Sequence, residues 1–199
     1  MDGILFYWLI WMSWIAVHFF WPKTFLRMWV SHFLLLLIIA NNFSLSIFSH
    51  QVNVAYVFLL FASMFIFSTL TMRKLCFFII VLLSFIAFMT SLRLLLIYDP
   101  IIVIIHPVWM LTIISFFYMH MFVKQRQFRI PLFLAGMSLS EMIYHLFLAN
   151  IYGARMFGDL FFFDVVMATI CLLYLWNTLE KFVIHFRESV KKRTVSLGG

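Results

Sequence analysis

Glu141 and His145 are the residues of this sequence best placed to do chemistry, because both are ionisable and both sit inside Ile130 to Asn150, an apolar run of bilayer length. A hydrocarbon core needs roughly 20 apolar residues of helix, and Glu141 lies about 11 residues, or roughly 16 Å, into this one, close to the midplane. At spacing i, i+4 the carboxyl and the imidazole share one helical face, with Ser138 one turn before Glu141 on the same side. A buried acid beside an imidazole can relay protons or hold a cation. Such groups are costly in lipid, so this helix is expected inside a bundle, with Gly136 and Ser140 as a separate strip of small residues that admits a neighbour.

Three more ionisable groups fall in the same outer half when the other runs are laid out as helices, near the outer interface, with His145 a little deeper and Glu141 below it. Arg93 lies about 18 residues, or roughly 27 Å, above the start of the fourth run. His106 is near the top of the fifth run and Asp164 near the top of the seventh. The candidate intramembrane polar cluster is therefore Arg93, His106, Glu141, His145 and Asp164, with Asn41 and Asn42 in the same half. Two readings are open. In one, Arg93 neutralises Asp164, Asp99 or Glu141 as a structural ion pair; in the other, the groups line an outward-facing polar cavity that moves protons or holds a cation. His18, His32 and His120 fall near the opposite interface, where headgroups or carbonyls satisfy them.

Composition sets the elements that must position these residues. Of 199 residues, 66% are hydrophobic and 11% charged, far below the roughly 25% charged residues of a soluble domain. The class is an all-α polytopic transmembrane bundle, with spans expected at about 4–21, 28–48, 54–72, 75–97, 101–123, 130–150 and 160–179. Lys23 and Arg27, then Arg73 and Lys74, then Lys124, Arg126 and Arg129, and finally Lys181, Arg187, Lys191, Lys192 and Arg193 fall in alternate connections, 12 of the 14 basic residues. That segregation predicts an external N-terminus and a cytoplasmic C-terminus, with six spans as the alternative. Residues 180–199 form a basic cytoplasmic tail. Phe182, Val183, Phe186 and Val190 recur there at helical spacing, so an amphipathic helix contacting anionic lipid through Lys181, Arg187, Lys191, Lys192 and Arg193 is one reading, and a basic end that only fixes topology is the other.

The net charge of +7 is spread between apolar runs rather than gathered on a water-facing surface, which argues against nucleic acid. Cys76 and Cys171 fall at different depths and read as reduced, buried thiols. Signatures of zinc proteases, serine hydrolases, dithiol redox proteins and nucleotide binders are missing, and no lysine lies within the seventh run to hold retinal. No cofactor and no metal is expected, and an enzyme is disfavoured.

The short connections, the length, and the stretch E-M-I-Y-H-L-F-L-A-N-I-Y-G from Glu141 to Gly153 resemble the small YphA-type membrane proteins of Bacillus and its relatives. The resemblance implies a bacterial cell-membrane protein with no established activity, and it carries no catalytic residue over. The expected function is a non-enzymatic membrane component, an assembly partner or sensor that contacts other membrane proteins. The alternative is a small transporter or proton-linked channel; the scarcity of Gly and Pro, 6 and 4 in the whole chain, weighs against the broken helices that many transporters use.

Overall fold

The computed structural model describes residues 3–47, 50–67, 72–99, 105–153 and 156–197. Seven helices account for most of them, and each starts or stops where a residue satisfies or removes free backbone groups. Helix α1 (Ile4–Ile15) continues through a π-helical turn, Ala16–Phe20, and ends before Pro22. Helix α2 (Phe25–Ala40) starts at Thr24, whose hydroxyl accepts the Arg27 N–H at 3.3 Å. Helix α3 (Val54–Phe67) follows Asn53, which accepts the Ala55 N–H at 2.8 Å. Helices α4 (Met72–Tyr98) and α5 (Pro107–Phe122) come next, the latter opened by a proline where the lost N–H costs nothing. Helix α6 (Arg126–Tyr152) ends at Gly153, and α7 (Leu160–Leu197) starts at Asp159, which accepts the Phe162 N–H at 2.8 Å.

Two stretches depart from the expected spans. The second run was expected to stay helical to Phe48, yet α2 ends at Ala40, because Asn41 and Asn42 turn the chain. Asn42 Nδ2 donates to the Ile38 carbonyl at 3.2 Å, and Asn53 Nδ2 donates to Asn41 Oδ1 at 2.9 Å, so side chains take over backbone pairing there. Beyond them Ser44-Leu45-Ser46-Ile47 alternates polar and apolar with the period of a strand. Strand β1 (Ser44–Ile47) pairs antiparallel with β2 (His50–Asn53), Ser44 opposite Asn53. Strand β3 (Met156–Phe157) adds in parallel, Gln51 opposite Met156. A three-stranded sheet thus joins two connections at one end of an otherwise helical bundle, which corrects the purely helical expectation. The fifth helix begins at Pro107 rather than Ile101; residues 101–104 lie outside the described ones.

Helix α6 is the hub. It packs on α3, α4, α5 and α7, while α7 also packs on α1 and α5. Of the three helices long and apolar enough to cross a membrane, 61% of the α6 span is buried, against 39% for α4 and 50% for α7. Close packing with α4 depends on Gly136, where a Cβ would sit 2.4 Å from Phe85 Cδ1. One turn on, Ser140 Oγ lies 3.1 Å from Thr90 Oγ1, so α4 occupies the small-residue strip. The interior is aromatic, with Phe6, Phe85, Phe133, Phe162 and Phe163 fully buried.

The outside is apolar as well. Trp8, Phe61, Ile80, Phe117 and Leu175 are each more than 60% exposed, a surface that suits lipid rather than water. The spans Leu75–Tyr98, Arg126–Ala149 and Leu160–Arg187 have the length and composition to cross a bilayer; the other helices are shorter. Cys76 is exposed on that surface instead of buried, Cys171 is half-buried, and both are free thiols.

Candidate functional site

At the sheet end of the bundle, α4 delivers Arg93, α6 delivers Glu141, Tyr144 and His145, and the start of α7 delivers Asp159. Arg93 Nη1 donates to Glu141 Oε2 in an ion pair, and His145 Nε2 lies 2.8 Å from the other oxygen, Oε1. Arg93, Glu141 and His145 are 5%, 0% and 4% exposed, so neither charge of the pair has water as an alternative partner. The guanidinium is flanked by aromatic faces: its Cζ is 4.1 Å from the Tyr144 ring centre and 5.7 Å from that of Phe161. Phe157 of β3 packs its ring against His145 at 5.4 Å and against His50 of β2 at the same distance, so the sheet closes over the imidazole.

Asp159 completes the group from the connection between α6 and α7. One donor atom from each of Glu141, His145 and Asp159 lies within 4.8 Å of the other two. Burial pushes the Asp159 carboxyl up from its ordinary range, the Glu141 charge adds to that, and Arg93 opposes it. Helix α3 braces the far side, where Tyr56 donates its hydroxyl hydrogen to the Ser138 carbonyl at 2.7 Å.

Of the five residues expected in the cluster, the structure brings together Arg93, Glu141 and His145 and leaves two apart. His106 is exposed at the N-cap of α5 and makes no side-chain cap hydrogen bond. Asp164 faces α1 instead: its two oxygens accept the Gly3 and Phe6 N–H groups at 2.8 and 2.6 Å, capping that helix's first turn from α7. Asn41 belongs to another network, donating to the Tyr7 hydroxyl at 3.0 Å. Asp159 and Tyr144 were not anticipated. The N-cap position just ahead of an apolar run points to the first, and the i, i+3 spacing from Glu141 points to the second.

A second polar group lies at the opposite, basic end. Glu180 of α7 meets Arg126 Nε at 2.7 Å and Arg129 Nη1 at 3.1 Å, with His120 Nδ1 at 3.6 Å and the Trp176 N–H donating at 2.7 Å. Buried Arg129 also donates to Asn177 Oδ1 and to the Val123 carbonyl, so α5, α6 and α7 are tied together there. His32 approaches the Met28 carbonyl at 2.7 Å and His18 the Ser31 hydroxyl at 3.4 Å. Of the expected lipid contacts, Lys181 and Arg187 are exposed; the side chains of Lys191, Lys192 and Arg193 lie outside the described residues.

A helical bundle with an apolar exterior and its charges paired inside is an integral membrane protein. The chain belongs to the YphA-like integral membrane protein family, whose pattern it matches over residues 2–197. It is 26% identical over 174 residues to the uncharacterized protein YphA of Bacillus subtilis (strain 168), covering 87% of this chain and 86% of that one. No solved structure matches it.

Proposed function

We propose that the protein is a non-enzymatic component of the bacterial cell membrane that acts through contacts with other membrane proteins and, at its basic end, with anionic lipid. The observation that carries this reading is that Arg93, Glu141 and His145 close on one another between Tyr144 and Phe161. An open groove of about 350 Å³ on the surface of α4 and α6 is lined by Ser91, Leu94, Leu95, Ile97, Tyr98, Leu148 and Ile151, none of them a member of the cluster. Reconstituted into vesicles carrying a pH gradient, the protein should leave the decay of that gradient at the rate of protein-free vesicles. A faster decay that Glu141→Gln removes would replace this reading with a proton-linked channel.

In the membrane, all seven helices cross, with the N-terminus outside and the tail in the cytoplasm. Support comes from the placement of Arg126, Arg129 and Lys181 together at one end and of the sheet connections at the other. Helices α2 and α5, with 16 residues each, measure about 24 Å, short of a hydrocarbon core of roughly 30 Å, so the bilayer thins beside them. Reporter fusions after Arg73, Arg129 and Gly199 should read cytoplasmic, and fusions near Gln51 and Tyr152 external. A cytoplasmic signal at Tyr152 would break the seven-span arrangement.

A further inference from the structure

The geometry points to a divalent transition-metal site, of the type that takes Zn²⁺, formed by Glu141, His145 and Asp159 at the sheet end of the bundle. The donor set is one imidazole nitrogen and two carboxylate oxygens from two separate elements, all within 4.8 Å of one another. Two ligands each about 2.1 Å from a tetrahedral ion lie roughly 3.4 Å apart, so the 2.8 Å between His145 Nε2 and Glu141 Oε1, a hydrogen bond here, opens by roughly half an ångström to admit one. From a separation within 4.8 Å, Asp159 closes by at most roughly 1.4 Å to join them.

The pairing around the imidazole is what singles this cluster out from an ordinary acidic group. His145 is 4% exposed, and its Nδ1 is buried with no hydrogen-bond partner. With the ring proton on Nε2, the donation to Glu141 is made but the Nδ1 lone pair meets nothing. With the proton on Nδ1, the Nε2 lone pair faces the oxygen lone pairs of Glu141, an arrangement that repels unless a cation lies between them. An ion on Nε2 removes that repulsion and sets the ring proton on Nδ1.

Arg93 assists such a site. It holds Glu141 through Oε2 and leaves Oε1 turned to His145, the familiar role of an outer partner that orients a ligating carboxylate. Glu141 and Asp159 also bring two negative charges to one guanidinium, and a cation offsets the excess. Of the three ligands only Asp159 is half-buried rather than buried, so the connection between α6 and α7, not the sheet over the imidazole, is the side open to an entering ion. Imidazole among the ligands selects Zn²⁺ or a similar ion over Mg²⁺, which prefers oxygen and keeps its waters.

The test uses the full chain in detergent, stripped with chelator and then equilibrated with Zn²⁺. About one Zn²⁺ per chain should be retained, with a rise in the thermal midpoint, and excess Mg²⁺ should not displace it. Asp159→Asn keeps an N-cap acceptor for the Phe162 N–H, so the fold is preserved while a charged ligand is lost. That variant should bind Zn²⁺ at least 10-fold more weakly, as second-shell and ligand losses commonly do. His145→Gln should do the same, and His32→Gln should bind like the parent. No retained Zn²⁺, retention undiminished in both Asp159→Asn and His145→Gln, or ready displacement by Mg²⁺ would overturn the assignment.

Discussion

Arg93→Ala should destabilise the detergent-solubilised protein by about 3 to 5 kcal/mol, the usual cost of stranding one member of a buried ion pair. Glu141 is fully buried, and with the guanidinium gone its remaining hydrogen-bond partner among the described residues is a single imidazole nitrogen. Glu141→Gln alone strands the other partner, since the Arg93 guanidinium lies against the Tyr144 and Phe161 rings and is itself buried. Adding Glu141→Gln should recover a substantial part of the loss, because the stranded charge disappears. Adding Asp164→Asn should recover nothing and lower stability further, since Asp164 spends both oxygens on the Gly3 and Phe6 N–H groups. Thermal or denaturant unfolding of the single and double variants measures the coupling. Additive losses for Arg93→Ala and Glu141→Gln would mean that the pair does not join α4 to α6.

That contrast between Glu141 and Asp164 shows what could be read from residue order alone. Depth along a helix is legible, because 1.5 Å per residue turns a position in an apolar run into a height. By that measure Arg93, His106 and Asp164 stand near one height, with His145 a little deeper and Glu141 below it, and the i, i+4 pairing of Glu141 with His145 needs no tertiary information at all. Azimuth is a different matter. Which side of α7 faces α6 is decided by packing, and Asp164 turns to α1, whose first turn offers N–H groups that lipid cannot satisfy. The face of α4 that meets α6 depends on the absence of a side chain at Gly136, a contact between residues some fifty positions apart.

The sheet was hidden for a related reason. Asn41 and Asn42 read as a polar interruption in an apolar span, and the residues after them are apolar enough to continue it. The structure uses Asn41 and Asn53 as a hydrogen-bonded turn instead, and only the distant segment Met156–Phe157 completes the third strand. Asp159 follows the same logic. Its capping role is local, whereas its approach to Glu141 is set by the short strand just before it. Basic residues were legible as a group through their spacing, but the carboxylate they converge on, Glu180, lies in what reads as the start of a tail.

Gly158→Ala should cause a loss of about 2 to 5 kcal/mol, larger than a surface glycine warrants, because two separate costs fall on it. Its φ of +70° is left-handed backbone, which a Cβ penalises by roughly 1–2 kcal/mol. That Cβ would also sit 2.4 Å from Tyr56 Cβ, the rigid root of the side chain rather than its mobile end, so α3 or the connection must shift. Forcing extra atoms into a packed interior costs typically 1–3 kcal/mol more. Displacing Tyr56 puts at risk its bond to the Ser138 carbonyl, one turn from Glu141, and its ring contact with Phe162. Gly153→Ala is the matched comparison. Its φ of +82° with ψ of −176° is extended backbone that essentially only glycine adopts, yet nothing lies within 4 Å of the added Cβ, so only a backbone cost applies, about 1–3 kcal/mol. Thermal unfolding of the two variants in one detergent should therefore show Gly158→Ala as the more damaging, by the steric cost that it alone carries. Equal losses would show that the connection relaxes away from Tyr56, and that the close approach of Gly158 to α3 is not what sets Asp159 beside Glu141.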